Sequence, residues 1–157
     1  MWVTLPKDPV ILAMRERLSR ITKLPMSHQE PLFLVRHEQG AFRPISTDSF
    51  VRETFKTEVK RGGHRLYTVY CPLQEADEGG ELLLPSLGNS WRPKCLGDAL
   101  VWQTGLLKRP AVRHPLSIHE ILKVRKGTQT VLYLWIRERP FDLTVSNELE
   151  DSLESAK

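Results

Sequence analysis

Val131-Leu132-Tyr133-Leu134-Trp135-Ile136 carries no charged side chain. A run this short and this apolar predicts a strand buried on both faces. Upstream, Arg65–Cys71 alternates and is rich in Tyr and Val, and Leu32–Val35, Glu81–Leu84 and Ala99–Gln103 are shorter apolar runs. Gly62-Gly63, Gly79-Gly80, Gly88 and Gly97 punctuate them as turn signals. One segment has a different period. Residues 8–24 predict an amphipathic helix, capped by Asp8, with Pro9 in the first turn and Pro25 as its stop. Val10, Ile11, Met14, Leu18 and Ile21 form its apolar stripe. The fold class that follows is mainly β with a leading α-helix, an antiparallel sandwich or jelly roll.

The 157 residues suffice for one domain. A content of 40% hydrophobic and 27% charged residues is ordinary for a soluble globular chain. No run reaches the ~20 apolar residues of a membrane span, and the first residues show no secretory signal. The compartment stays open, an organelle among the choices. The net charge of +4 hides an asymmetry. Residues 142–157 hold five acids and one base, so residues 1–141 keep 22 bases against 14 acids. We therefore expect a domain over 1–141 and an acidic tail over 142–157, ordered on a partner if at all. The basic body suits an anionic partner. Lys56, Lys60 and Arg61, with Lys108, Arg109 and Arg113, are the candidate partner-binding residues, and Trp91 and Trp102 are candidate stacking faces for nucleic acid. Cys71 and Cys95 make no disulfide framework. No phosphate-loop or dinucleotide motif occurs, and His37, His64 and His114 show no ligand spacing among themselves.

Particular residues go further than composition. Glu30 precedes a strand ending in Arg36-His37, then come Gly40 and Ser46-Thr47-Asp48-Ser49-Phe50. Arg65 and Thr68 follow, then Glu78-Gly79-Gly80-Glu81-Leu82-Leu83-Leu84-Pro85, Pro93-Lys94-Cys95-Leu96-Gly97-Asp98-Ala99-Leu100, and His119 with Val124, Gly127 and Trp135. These ordered blocks, over roughly residues 2–139, resemble prolyl 4-hydroxylase-type Fe(II)/2-oxoglutarate-dependent dioxygenases. The resemblance implies a double-stranded β-helix (jelly roll), here incomplete, because the family domain usually starts earlier than Trp2.

In that family a His-x-Asp pair and a distal His hold the iron. Asp48 and His119 match two of the ligands, and Ser46 stands where the first His belongs. A hydroxyl is a poor ligand for Fe(II) beside an imidazole, and a site of this type uses two His and one carboxylate. The family Lys that pairs with the far carboxylate of 2-oxoglutarate is Gln129, which brings no charge. The Tyr that helps bind the same carboxylate is His37. The resemblance thus implies a vestigial metal site at Asp48 and His119 and a vestigial cosubstrate site at His37 and Gln129. No cofactor is expected, and the chain reads as an inactive structural or interaction subunit among other protein subunits. Two alternatives stand beside it. One is an active dioxygenase of unusual ligation, using Fe(II) and 2-oxoglutarate on a prolyl or similar side chain. The other is a basic nucleic-acid-associated module. On residue type alone, Asp48 reads equally as a turn cap and His119 as a strand-end histidine.

Overall fold

The computed structural model describes residues 1–3, 8–50 and 56–144. Its strands are β1 (Trp2–Val3), β2 (Leu32–His37), β3 (Arg43–Ser46), β4 (Arg65–Gln74), β5 (Glu78–Gly79), β6 (Leu82–Leu84) and β7 (Asn89–Trp91). They continue with β8 (Leu100–Gln103), β9 (Gly105–Leu106), β10 (Arg109–Arg113), β11 (His119–Ile121), β12 (Val124–Lys126) and β13 (Gln129–Arg137). The helices are α1 (Pro9–Thr22) and the short α2 (Lys56–Lys60). A major sheet runs β1-β2-β13-β4-β8 and a smaller one β3-β11-β6-β7, with neighbouring strands antiparallel throughout both. Two short ribbons, β10-β9 and β12-β5, complete the described strands.

β13 is the centre of the molecule. Every residue from Val131 to Ile136 is buried, as its sequence predicts. The two-residue period of a strand sends alternate side chains to opposite faces. Leu132, Leu134 and Ile136 join Leu18 of α1, Val69 and Cys71 in an outer core. Val131, Tyr133 and Trp135 meet Tyr70, Leu82 and Ile121 in an inner core between the two sheets.

α1 begins where its capping residue places it. The Asp8 side chain accepts from the backbone N–H groups of Val10 and Ile11 at 2.9 and 3.0 Å. Lys23, at φ 61°, ends the helix in the left-handed region before Pro25. The apolar stripe differs from expectation at both ends. Leu18 and Thr22 are buried, but Val10 and Ile21 are 74% and 56% exposed. The helix touches the sheet along Ile11, Met14 and Leu18, a narrower line than the sequence stripe. Among the described residues no helix is long and apolar enough to cross a membrane.

A buried ion cluster ties the first strands to the last. Glu30 accepts two bonds from Arg65, at 2.7 and 2.9 Å, and is also paired with the fully buried Arg137. Arg65 lies over the Trp135 ring at 3.8 Å. Cys71 and Cys95 are both free, one buried and one exposed. Beyond Thr144 the expected acidic tail lies outside the described residues.

Candidate metal and cosubstrate site

β3 and β11 pair so that Ser46 stands opposite His119. Asp48, two residues past β3, is 5% exposed and faces the same interior. Sheet register therefore brings the distant His119 beside Ser46 and Asp48. The His119 Nε2 atom is 3.7 Å from Asp48 Oδ2. His119 Nδ1 is 3.1 Å from the Ser117 carbonyl oxygen, so Nδ1 carries the proton and donates it there. Nε2 is left pointing at the carboxylate.

Both oxygens of Asp48 have other partners. Arg43 donates to Oδ1 at 3.0 Å and Thr68 donates to Oδ2 at 3.0 Å. Thr68 in turn shares a 2.7 Å bond with Thr104. The Arg43 guanidinium also lies 5.6 Å from the centre of the Tyr133 ring. Burial pushes the Asp48 carboxyl up, but His119, Arg43, Arg65 and a bond from Trp135 outweigh it and leave it below the ordinary carboxylate range. Burial lowers His119 despite the attraction of Asp48, which keeps its imidazole neutral near pH 7. Arg43 is then the hydrogen-bonded positive charge that Asp48 keeps at that pH. No sequence feature marked Arg43, whose side chain reaches Asp48 through the turn between them.

His37 and Gln129 stand opposite each other where β2 and β13 pair. Both are buried. Gln129 donates to the Gly80 carbonyl oxygen at 2.8 Å and to Glu75 at 3.3 Å. This contact depends on the Gly79-Gly80 turn. At Gly79, φ is +80° and a Cβ would run into the Lys123 carbonyl oxygen. Burial, then the charge of Arg43, lowers the His37 imidazole. Among the described residues, His37 Nε2, Ser46 Oγ and His119 Nε2 have no hydrogen-bond partner. A cavity of about 430 Å³ opens here, lined among others by Phe33, His37, Phe42, Arg43, Asp48 and Trp135.

This donor set does not fit a ferrous ion. A facial site needs two imidazoles and a carboxylate, and among the described residues no group of three His, Cys, Asp or Glu side chains could hold a metal. The carboxylate that is present already has a guanidinium on one oxygen and a hydroxyl on the other.

The candidate partner residues fall elsewhere. Lys60 ends α2 and Arg61 follows it, 3.2 Å from Glu58. Lys108, Arg109 and Arg113 belong to the β9–β10 hairpin, Lys108 and Arg109 exposed and Arg113 half-buried. The Lys56 side chain lies outside the described residues. Trp91 and Trp102 are half-buried and pack against the inner core, and Trp102 lies 5.1 Å from His119.

The chain is 28% identical to prolyl 4-hydroxylase 2 of Arabidopsis thaliana over 163 residues, covering 90% of this chain and 52% of the relative. Prolyl 4-hydroxylase 1 of the same plant is 30% identical over 145 residues, covering 83% and 49%. The chain is similar to the prolyl 4-hydroxylase-type family of 2-oxoglutarate oxygenases. It spans about half the length of those curated relatives. The fold agrees: the crystal structure of a viral collagen prolyl hydroxylase from Paramecium bursaria Chlorella virus-1, in its 2-oxoglutarate complex, superposes with a TM-score of 0.72 at 19% identity, covering 87% of this chain and 76% of that one. The mainly β architecture with one leading helix is thus the double-stranded β-helix of the prolyl 4-hydroxylases. No family model matches the chain.

Proposed function

We propose that this prolyl 4-hydroxylase-type domain is catalytically inactive and serves as a structural or interaction subunit of a larger assembly. One observation carries the reading: the Asp48 carboxylate is closed off by Arg43 and Thr68, beside a serine where an imidazole is needed. An incoming Fe(II) would have to break the Arg43 ion pair inside the protein and then bind with one imidazole fewer. Each factor of ten in affinity is about 1.4 kcal/mol, and the missing imidazole alone removes several such factors. Gln129 supplies no charge for the far carboxylate of 2-oxoglutarate, and its amide is already held by Gly80 and Glu75. The test is anaerobic Fe(II) titration with assay of succinate release. We expect neither stoichiometric iron nor turnover. Ser46→His combined with Arg43→Ala and Gln129→Lys is expected to recover metal binding. Stoichiometric iron with succinate release from the unaltered chain would overturn the reading.

A second reading has one observation in its favour. The cavity beside Asp48 is lined by His37, whose Nε2 has no partner, and the equally unpartnered His119 Nε2 lies 3.7 Å from Asp48 Oδ2. In an active dioxygenase of unusual ligation Asp48 and His119 would hold Fe(II), and Arg43 would have to swing away to release the carboxylate. The same titration separates the two readings. A nucleic-acid-associated role has less support, because Trp91 and Trp102 are half-buried against the inner core.

A further inference from the structure

A second cavity lies outside the jelly-roll interior, between α1 and the outer face of the major sheet. It measures about 600 Å³. Val69, Cys71, Leu132 and Leu134 line it from the strands, and Met14 and Ile21 from the helix. Ile21 is 56% exposed here, although it belongs to the apolar stripe of α1. The charged residues at the cleft are Arg17, Arg92, Lys94 and Asp98. Arg92 is paired with Glu75 and Glu81. Asp98 is engaged by the backbone N–H groups of Lys94 and Cys95. Arg17 and Lys94 are exposed, and among the described residues no carboxylate pairs with either. An apolar cleft with two unpaired cations on its rim fits an acidic segment carrying apolar anchors.

The chain contains one such segment. In residues 145–157, Val145, Leu149 and Leu153 recur every fourth position, and Glu148, Glu150, Asp151 and Glu154 lie between and beside them. Apolar residues at that spacing form one stripe if the segment is helical, with the acids around it. Geometry permits contact. The Phe141 N–H donates to the Ser27 carbonyl oxygen at 2.8 Å, which fixes the preceding chain just past the C-terminal end of α1. Fourteen residues of α1 extend about 21 Å. The thirteen residues from 145 to 157 reach roughly 43 Å when extended.

We infer that the acidic segment 145–157 docks in cis on this cleft, with Leu149 and Leu153 against the apolar floor and its carboxylates toward Arg17 and Lys94. The inference does not depend on whether the interior site binds iron. Cys95, exposed beside Lys94, offers a native attachment point for a nitroxide, while burial raises the Cys71 thiol and protects it. The experiment is paramagnetic broadening of the amide signals of 145–157 in the full chain labelled at Cys95. The expected result is strong broadening centred on 149–153, unchanged on dilution, and lost in the Leu149→Asp/Leu153→Asp variant. It is expected to weaken with rising salt and in Arg17→Glu/Lys94→Glu, because exposed charges are screened beyond about 8 Å at physiological ionic strength. Three results overturn it. The first is shallow broadening that the leucine substitutions do not change. The second is broadening only between molecules, seen when labelled chain is mixed with isotope-enriched unlabelled chain, which assigns the cleft to a second copy. The third is absence of broadening.

Discussion

At the scale of the residue, Arg43 decides more than Ser46 does. In the inactive reading proposed above, a serine at a ligand position weakens the metal site, and a guanidinium bonded to the remaining carboxylate opposes metal binding further. The pair is asymmetric, with the Asp48 side chain 2% and the Arg43 side chain 30% exposed. Removing the cation alone strands a buried carboxylate. Arg43→Met is therefore expected to cost about 2 kcal/mol, below the ~3–5 kcal/mol of fully enclosed pairs because Arg43 keeps partial solvent contact. Arg43→Met combined with Asp48→Asn leaves no charge stranded, and most of that loss is expected to return. Urea denaturation of the two singles and the double, read as a thermodynamic cycle, checks this. A strictly additive double would show that the ion pair contributes nothing by itself.

At the scale of the element, α1 shows how a correct helix can carry a misleading stripe. Helical periodicity identifies which residues share a face, but the breadth of the contact depends on the surface opposite. Here the sheet meets only the line through Ile11, Met14 and Leu18. Leu18→Ala is expected to destabilise by about 2–4 kcal/mol. Val10→Ser, at a position 74% exposed, is expected to stay within about 0.5 kcal/mol. Asp8→Ala removes a cap that satisfies two backbone N–H groups and is expected to cost about 1 kcal/mol. Midpoint shifts at constant denaturant slope would confirm that each change acts on stability alone. β13 was easier to read than α1. A strand apolar on both faces needs cover on both, so its central place in the sheet follows from composition.

At the scale of the molecule, acid sensitivity follows from the buried histidines. Burial lowers His37 and His119 from the ordinary 6.5. The unfolded chain then binds protons more readily than the folded one, so protonation favours unfolding. Their contribution is complete above pH 6.5 and is lost as pH falls from there toward their folded values. Asp48, held below 3.8, adds a second loss at lower pH, as acid neutralises it. Thermal melts are therefore expected to show a falling midpoint from about pH 6.5 downward and a further fall below about pH 4. His119→Gln is expected to flatten the upper part of the profile, with each pKa unit worth about 1.4 kcal/mol. A melting temperature constant between pH 7 and pH 5 would count against neutral burial of these rings.

The blocks around Glu30, Gly40, Asp48, Arg65, Gly79 and His119 were legible in the chain because backbone constraints and ligand chemistry leave residue types at set intervals. So were the double-faced strand, the Asp8 cap and the hydroxyl at position 46. What the intervals could not show was which side chain meets the carboxylate. That contact belongs to no local period. It arises from the turn after β3 and from the register that sets β11 beside β3, and both are fixed only when the two sheets close on a shared core. Linear order specified which atoms were available at this site, and packing chose a guanidinium as their neighbour.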